Sequence, residues 1–170
     1  MNEKLVRKDI STPLGQMILI ASEKGICFLE FQKKDRNVML EKRLARWFDS
    51  PQITLESNPF VLKGEAWVEN YFQRKFHFLQ LPPLDLRGSQ FELSVWEALK
   101  LIPLGKTISY GEIAEKVGKP GAARAIGGIV GRNPVSIIIP CHRVIGKNGS
   151  LTGYGGGIEN KKWLLAHEIN

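Results

Sequence analysis

The chain has 170 residues, 43% hydrophobic and 24% charged, with a formal net charge of +7, the make-up of an ordinary water-soluble globular chain without low-complexity tracts. No apolar run approaches the ~20 residues that span a bilayer, and Met1-Asn2-Glu3-Lys4 has no signal-peptide core behind it, so the expectation is a cytoplasmic protein with no membrane partner. Two cysteines exclude a disulfide framework, and with three histidines, no Cys-x-x-Cys and no His-x-x-x-His, they argue against a closed zinc site.

The first half reads as a scaffold. Leu5 to Ile10, Gln16 to Ala21 and Gly25 to Phe31 are predicted strands, joined by Thr12-Pro13-Leu14-Gly15 and Ser22-Glu23-Lys24-Gly25 as turns, which makes an antiparallel meander. Val38 to Phe48 places Leu40, Leu44, Trp47 and Phe48 at helical spacing, a stripe able to cover one sheet face. Asn58 followed by Pro59 is a helix start, and Phe60 to Gln73 carries Val61, Val68 and Phe72 on one side. Phe76 to Leu86, with Pro82-Pro83 and little periodicity, is read as the linker that closes a first domain at residue 86. Cys27 alternates along a strand and is read as a packing or edge residue.

The second domain, 87–170, opens on a capping box, Ser89 with Glu92, ahead of Phe91, Val95, Leu99 and Ile102, and Pro103 stops that helix. Ser109-Tyr110-Gly111-Glu112 is a second capping box; Gly118 turns the chain, and a further helix starts near Ala122. Helix, glycine turn, helix is the helix-turn-helix pattern. Its second helix holds Ala122, Ala123, Ala125, Gly127 and Gly128, with Arg124 the only long polar side chain on its first turns. Such a helix reads few bases, but its small residues allow close approach to a backbone or groove floor, and a lone arginine can enter the base stack. Tight packing on the Trp96 helix explains the small residues equally well.

Charge points the same way. Residues 1–86 hold 13 basic and 11 acidic side chains, whereas residues 87–170 hold 11 and 6, and no carboxylate side chain occurs from Lys116 through Ile158. A one-signed stretch carrying Lys116, Lys119, Arg124, Arg132, Arg143 and Lys147 suits a phosphate backbone, or a solvated basic face.

Candidate chemistry lies in Ile137-Ile138-Ile139-Pro140-Cys141-His142-Arg143-Val144. Val135 to Ile139, bracketed by Pro134 and Pro140, is expected to be a short buried extended segment. A cysteine attacks as thiolate and needs a base or cation to form it. His142 is the candidate base, acting through a water or a turned backbone because adjacent side chains diverge, and Glu168, the last carboxylate, is the candidate to orient its ring. From these residues alone, Cys141 can equally be a small buried apolar side chain. Ile145 to Gly157, with six glycines and Tyr154, reads as a loop whose amides can approach a bound base, and Glu159 to Glu168 as a closing helix with Trp163, Leu164 and Leu165.

Pro140-Cys141-His142-Arg143-Val144, Arg124 on its small-residue helix, Asn133-Pro134, the Tyr154 glycine loop and Trp163-Leu164-Leu165-Ala166-His167-Glu168 together resemble the O6-alkylguanine-DNA alkyltransferases, closely from Phe91 to Glu168 and more loosely before. The resemblance implies an α+β protein: a ribonuclease-H-like N-terminal domain, antiparallel sheet plus helices, then a mostly helical C-terminal domain with the helix-turn-helix. It implies irreversible, single-turnover transfer of an alkyl group from O6-alkylguanine, less well O4-alkylthymine, flipped out of double-stranded DNA, to Cys141, without a cofactor. By the same carry-over His142 is the water-mediated base and Glu168 orients it. Tyr110 assists the departing guanine and crowds the flipped nucleotide's phosphate, and Asn133 braces the turn before the cysteine. Arg124 fills the vacated stack, with Ala122, Ala123 and Gly127 lying against the DNA, while Val130, Val144, Tyr154, Gly155 and Gly156 belong to the base pocket.

Two departures accompany this. Gly155 stands where the family usually has serine or alanine, which implies a more mobile loop, and Cys27 with His77 does not reproduce the four-ligand zinc site of some members, so no metal is expected. Rival readings are a non-enzymatic alkyltransferase-like lesion-binding protein, against which Cys141 argues, a cysteine hydrolase using Cys141, His142 and Glu168, and a plain helix-turn-helix regulator. Monomer is the default expectation.

Overall fold

The computed structural model describes residues 3–169. They form two compact units that divide between Arg87 and Gly88. The first holds β1 (Lys4–Thr12), β2 (Gly15–Ala21), β3 (Ile26–Phe31), α1 (Lys34–Trp47), β4 (Gln52–Thr54) and α2 (Pro59–Phe72). Its sheet has the order β3-β2-β1-β4, antiparallel except that β4 lies parallel to β1, with Leu5 opposite Ile53. The purely antiparallel sheet expected from the meander is thus a mixed one. Gln52-Ile53-Thr54 is too short and too exposed to show any alternation in sequence.

Helices cover both faces of this sheet, which is why β2 and β3 are buried along almost every residue rather than at alternate ones. On one face Leu40 and Leu44 of α1 and the following Phe48 pack with Leu5, Ile18, Ile20 and Phe28. Helix α1 begins at Lys34, one turn earlier than its apolar stripe, because its first turn is polar and solvated. On the other face α2 starts at Asn58, whose side chain accepts from the Phe60 and Val61 amides, and runs so close to the sheet that a Cβ on Gly64 would lie 2.8 Å from Leu19 and 2.9 Å from Ile26. The linker is ordered: Ile26 N–H donates to the Pro83 carbonyl at 2.9 Å and Asp85 N–H to the Ile26 carbonyl at 2.8 Å, which covers the edge strand β3. Arg87 falls with this unit because its guanidinium binds Glu3 and Asp85 and stacks 3.9 Å from the Phe48 ring centroid.

The second unit holds α3 (Gln90–Lys100), β5 (Ile108–Ser109), α4 (Tyr110–Lys116), α5 (Ala123–Gly131), β6 (Val144–Ile145) and α6 (Ile158–Ile169). Both expected capping boxes form, on α3 with Ser89 and Glu92 and on α4 with Ser109 and Glu112. The core gathers Val95, Trp96 and Leu99 of α3, Ile113 of α4, Ile126 of α5 and Leu164 of α6. Ile145 belongs to β6 rather than to the glycine loop, because β6 pairs in parallel with β5, Ile108 opposite Val144 and Ser109 opposite Ile145.

Gly64→Ala tests the close seat of α2. Leu19 and Ile26 are fully buried and have no room to withdraw, so the added methyl is expected to destabilise the first unit by about 1–3 kcal/mol. Urea unfolding followed by circular dichroism reads this directly, and an unchanged midpoint contradicts it.

Candidate active site

The segment before the cysteine is buried, as expected, but it is turned rather than extended. Ile138 N–H donates back to the Ser136 carbonyl at 2.9 Å and Ile139 N–H to the Val135 carbonyl at 3.0 Å, with Ile137 at φ 71°. Flanking prolines forbid a helix yet leave a tight turn open, and Asn133 selects it. The Asn133 amide nitrogen donates to the Ile139 carbonyl at 2.8 Å and its oxygen accepts from Val135 N–H at 3.0 Å. A β-branched residue with positive φ costs on the order of 1–3 kcal/mol, which burial of Val135, Ile137 and Ile139 and the Asn133 clasp hold in place.

Cys141 to Arg143 then form one 3-10 turn, buried throughout, with Val144 N–H donating to the Cys141 carbonyl. This turn sends neighbouring side chains in different directions. His142, with no solvent exposure, contacts Glu168 of α6, Nε2 to Oε1 at 2.6 Å. Arg143 grips the same carboxylate from its other side, Nε to Oε2 and Nη2 to Oε1 both at 2.9 Å, and its Nη1 donates to the Ile102 carbonyl at 2.6 Å. The Gly105 amide adds a further donor at 3.3 Å.

The protonation states follow. Burial alone raises the Glu168 carboxyl, but hydrogen bonds from His142 and Arg143 outweigh it and hold the group down at about 2, so it is an anion. Burial lowers His142, opposed by Glu168 and assisted by the Arg143 and Lys161 charges, so the imidazole is neutral at rest. With a carboxylate facing Nε2, the proton sits there and Nδ1 carries the free lone pair. His142 is thereby a base with its basic nitrogen turned away from Glu168. Cys27, by contrast, is buried in the first unit and pushed up to about 12 by desolvation, an inert thiol.

The β5–β6 pairing sets Tyr110, the first residue of α4, beside the strand that leaves the cysteine turn. Its hydroxyl donates to the Thr152 carbonyl at 3.0 Å, and burial raises its pKa with a smaller contribution from Cys141. Tyr110 also lines an open cavity of about 690 Å³ with Ala123, Arg124, Gly127, Lys147 and Gly153. Arg124 and Ala125 are exposed, and α5 packs inward through Ile126, Ile129 and Val130 instead of its small residues. The small-residue face is therefore open: a Cβ on Gly127 would meet only Tyr110, at 3.9 Å. Glu112 and Glu115 of α4 stand in the same cavity wall, so the acid-free stretch of sequence does not make an acid-free cavity.

The fold thus joins Cys141, His142 and Glu168, with Tyr110 linked to the Thr152 backbone, and sets Arg124, Ala123 and Gly127 on the cavity wall. Ala122 is the N-cap of α5 without a side-chain capping bond. Val130 and Val144 are core side chains, and Tyr154 and Gly156 are buried with Gly155 partly so. Sequence reasoning gave no role to Lys161 or the Thr152 carbonyl, and it counted Arg143 with the basic stretch suited to a phosphate backbone or a solvated face, whereas Arg143 is buried and its charge is taken by Glu168. Arg143 lay inside the motif, and its signal was a guanidinium beside a histidine that itself needs a carboxylate. Among the described residues no cluster of three or more His, Cys, Asp or Glu could hold a metal ion, and no helix is long and apolar enough to cross a membrane.

Residues 5–86 match the family model of the 6-O-methylguanine DNA methyltransferase ribonuclease-like domain, and residues 90–170 that of the same family's DNA binding domain. A methylated-DNA–protein-cysteine methyltransferase of Shigella flexneri is 39% identical over 167 residues, 97% of this chain and 96% of that one. One of Methanosarcina acetivorans is 39% identical, over 92% and 94% of the two chains. The crystal structure of Mycobacterium tuberculosis OGT in complex with DNA is similar with a TM-score of 0.79 and 38% identity, covering 97% of this chain and 92% of that one.

Acid should weaken the second unit. Both His142 and Glu168 lie below their ordinary values of 6.5 and 4.5, so the unfolded chain binds more protons and their contribution, complete above those values, is lost as pH falls. The urea midpoint is expected to decline below 6.5 and again between 4.5 and about 2. Glu168→Gln should lower stability by about 3 kcal/mol at neutral pH, because it leaves the buried Arg143 cation unbalanced, and should shrink the second decline to what the capping carboxylates Glu92 and Glu112, also held below the usual carboxylate value, contribute. An undiminished decline in the variant excludes Glu168 as its main source.

Proposed function

The chain belongs to the 6-O-methylguanine DNA methyltransferase family, and from that premise we propose that it repairs DNA by direct reversal, moving the alkyl group of O6-alkylguanine irreversibly onto Cys141. The observation that carries this reading is the chain of contacts from the cysteine turn through His142 to Glu168, in which a neutral imidazole is held by an ionised carboxylate. Double-stranded DNA containing the lesion is the proposed partner, with O4-alkylthymine a poorer substrate and a single copy of the chain acting on it. Both cysteines are free thiols, which suits the reducing cytoplasm as the place of action.

In this reading the His142 Nδ1 lone pair takes the thiol proton through a water, and Glu168 stabilises the imidazolium that results. The thiolate sulfur attacks the alkyl carbon, a sulfur–carbon bond forms as the carbon–O6 bond breaks, and the electron pair leaves on the guanine. Tyr110, already donating its hydroxyl to a carbonyl at the cavity edge, turns that donor to the departing base and offsets its charge. The product thioether has no easy leaving group, so one chain acts once.

The nucleotide must leave the stack to reach a buried sulfur, at a cost of a few kcal/mol. Arg124 stands exposed on the outer turn of α5, beside Ala123 and Gly127. It is the side chain we assign to the vacated space, the small residues letting α5 lie close against the groove. Lys147 on the same cavity wall supplies a phosphate contact. The first unit serves as scaffold and the second carries DNA contact and chemistry.

Intact-protein mass with excess duplex containing O6-methylguanine should rise by one methyl group, mapped to Cys141, and then stop. Cys141→Ser should bind the duplex and gain no mass; tight binding without mass gain by the unaltered chain would overturn the transfer reading in favour of a lesion sensor. Arg124→Ala should slow repair of the duplex on the order of a hundredfold, the ~3 kcal/mol of a lost stack-filling contact, while leaving reaction with free O6-alkylguanine base nearly unchanged. Equal losses on both substrates contradict the stack-filling role.

A further inference from the structure

Lys161 of α6 is 1% exposed, yet both groups it bonds are backbone carbonyls rather than a carboxylate. Its ammonium donates to the Val144 carbonyl at 2.5 Å and to the Thr152 carbonyl at 3.1 Å. A buried ammonium balanced only by peptide dipoles is costly, and such groups are kept where an anion completes them. The candidate anion is near. Val144 directly follows the 3-10 turn and donates its own amide to the Cys141 carbonyl, so Lys161 fastens the residue that closes the cysteine turn. Thr152, its other anchor, is the residue whose carbonyl also accepts from Tyr110.

We propose that Lys161 is a positioning residue for the transfer reaction, a buried ammonium that serves as counter-charge to the Cys141 thiolate while clamping the post-cysteine strand to the glycine loop. The proposal rests on the reading of Cys141 as nucleophile and adds to it the source of its ionisation. His142, oriented by Glu168, removes the proton; Lys161 makes the remaining anion tolerable. Tyr110 from α4 and Lys161 from α6 both feel the charge of Cys141, and His142 and Arg143 stand on its own turn; of the two cations, Arg143 is paired with Glu168 whereas Lys161 bonds only carbonyls. Burial lowers the Lys161 pKa, and the Cys141 sulfur is close enough to oppose that shift.

The anion is felt in the same sense by Tyr110, whose hydroxyl a nearby thiolate keeps protonated. Lys161 and Tyr110 therefore share both a carbonyl and a charge: the cation stabilises the sulfur anion left when His142 takes the proton, and that anion holds Tyr110 in its donor form. Arg143 does not serve in its place, since its charge is committed to Glu168 through two hydrogen bonds and a third holds it to the Ile102 carbonyl.

The test follows thiolate formation without DNA. Iodoacetamide labelling of Cys141, resolved by peptide mass from that of Cys27, is measured across pH in the full-length protein, in Lys161→Gln, which keeps a donor without the charge, and in Lys161→Met, which removes both. Lys161→Gln is expected to raise the labelling midpoint by at least about one pH unit, a tenfold slower reaction near neutrality, with the high-pH plateau retained. A folded variant with an unmoved midpoint overturns the counter-charge, even if its stability falls. Should neither variant fold, the carbon-13 shift of the Lys161 side chain in the unaltered protein decides: it must step at the pH where Cys141 ionises, and a flat response refutes the proposal. Methyl uptake from O6-methylguanine by Cys141 is scored separately, so a failed transfer reading and a failed counter-charge are told apart.

Discussion

The second unit depends on one carboxylate. Glu168 sits near the end of α6, and His142, Arg143 and the Gly105 amide all donate to it. It draws together three parts of the chain: the turn after α3, the cysteine turn and the last helix. It also sets the protonation state of the site, because a carboxylate shared between a guanidinium and an imidazole remains ionised and leaves the imidazole neutral. If Arg143 were apolar, the carboxylate would pull harder on His142 and favour the imidazolium, which is no longer a base. The fork of Arg143 therefore tunes the histidine through the acid they share, with geometry that a lysine in its place could not reproduce.

Strain and charge lie at the same place. The turn at Ile137 holds a β-branched residue at φ 71°, and just beyond Pro140 and Cys141 the chain buries His142 and Arg143. Neither feature is favourable alone. The Asn133 clasp and the surrounding apolar side chains hold the first, and Glu168 balances the second. A cysteine at the junction is held in one position, and that rigidity is what in-line attack on a saturated carbon requires.

The first unit shows what the chain puts elsewhere. Its sheet is covered by a helix on each face, its edge strand by the linker, and its own cysteine is buried and inert. Its salt bridges, such as Arg87 with Glu3 and Asp85, close the unit on itself. The contrast between Cys27 and Cys141 is one of surroundings: the two thiols are chemically equal, and only the second is set beside a base and a cation.

Local rules made much of this protein legible from sequence. The helix starts at Asn58, Ser89 and Ser109 are short-range hydrogen-bond patterns, and the first three strands and the stripe of Leu40 and Leu44 are periodicities within a dozen residues. The motif around Cys141, the arginine on its small-residue helix and the terminal glutamate were visible because each is a particular residue at a particular spacing. What the sequence could not decide were relations across distance: that Gln52 to Thr54 joins β1 in parallel, that Val135 to Ile139 turns under the clasp of Asn133, that Arg143 shares the carboxylate of His142, and that Lys161 lies buried against Val144 and Thr152. Each depends on which distant group arrives to satisfy a donor or a charge. Periodicity carries no record of that arrival, and burial alone makes it necessary.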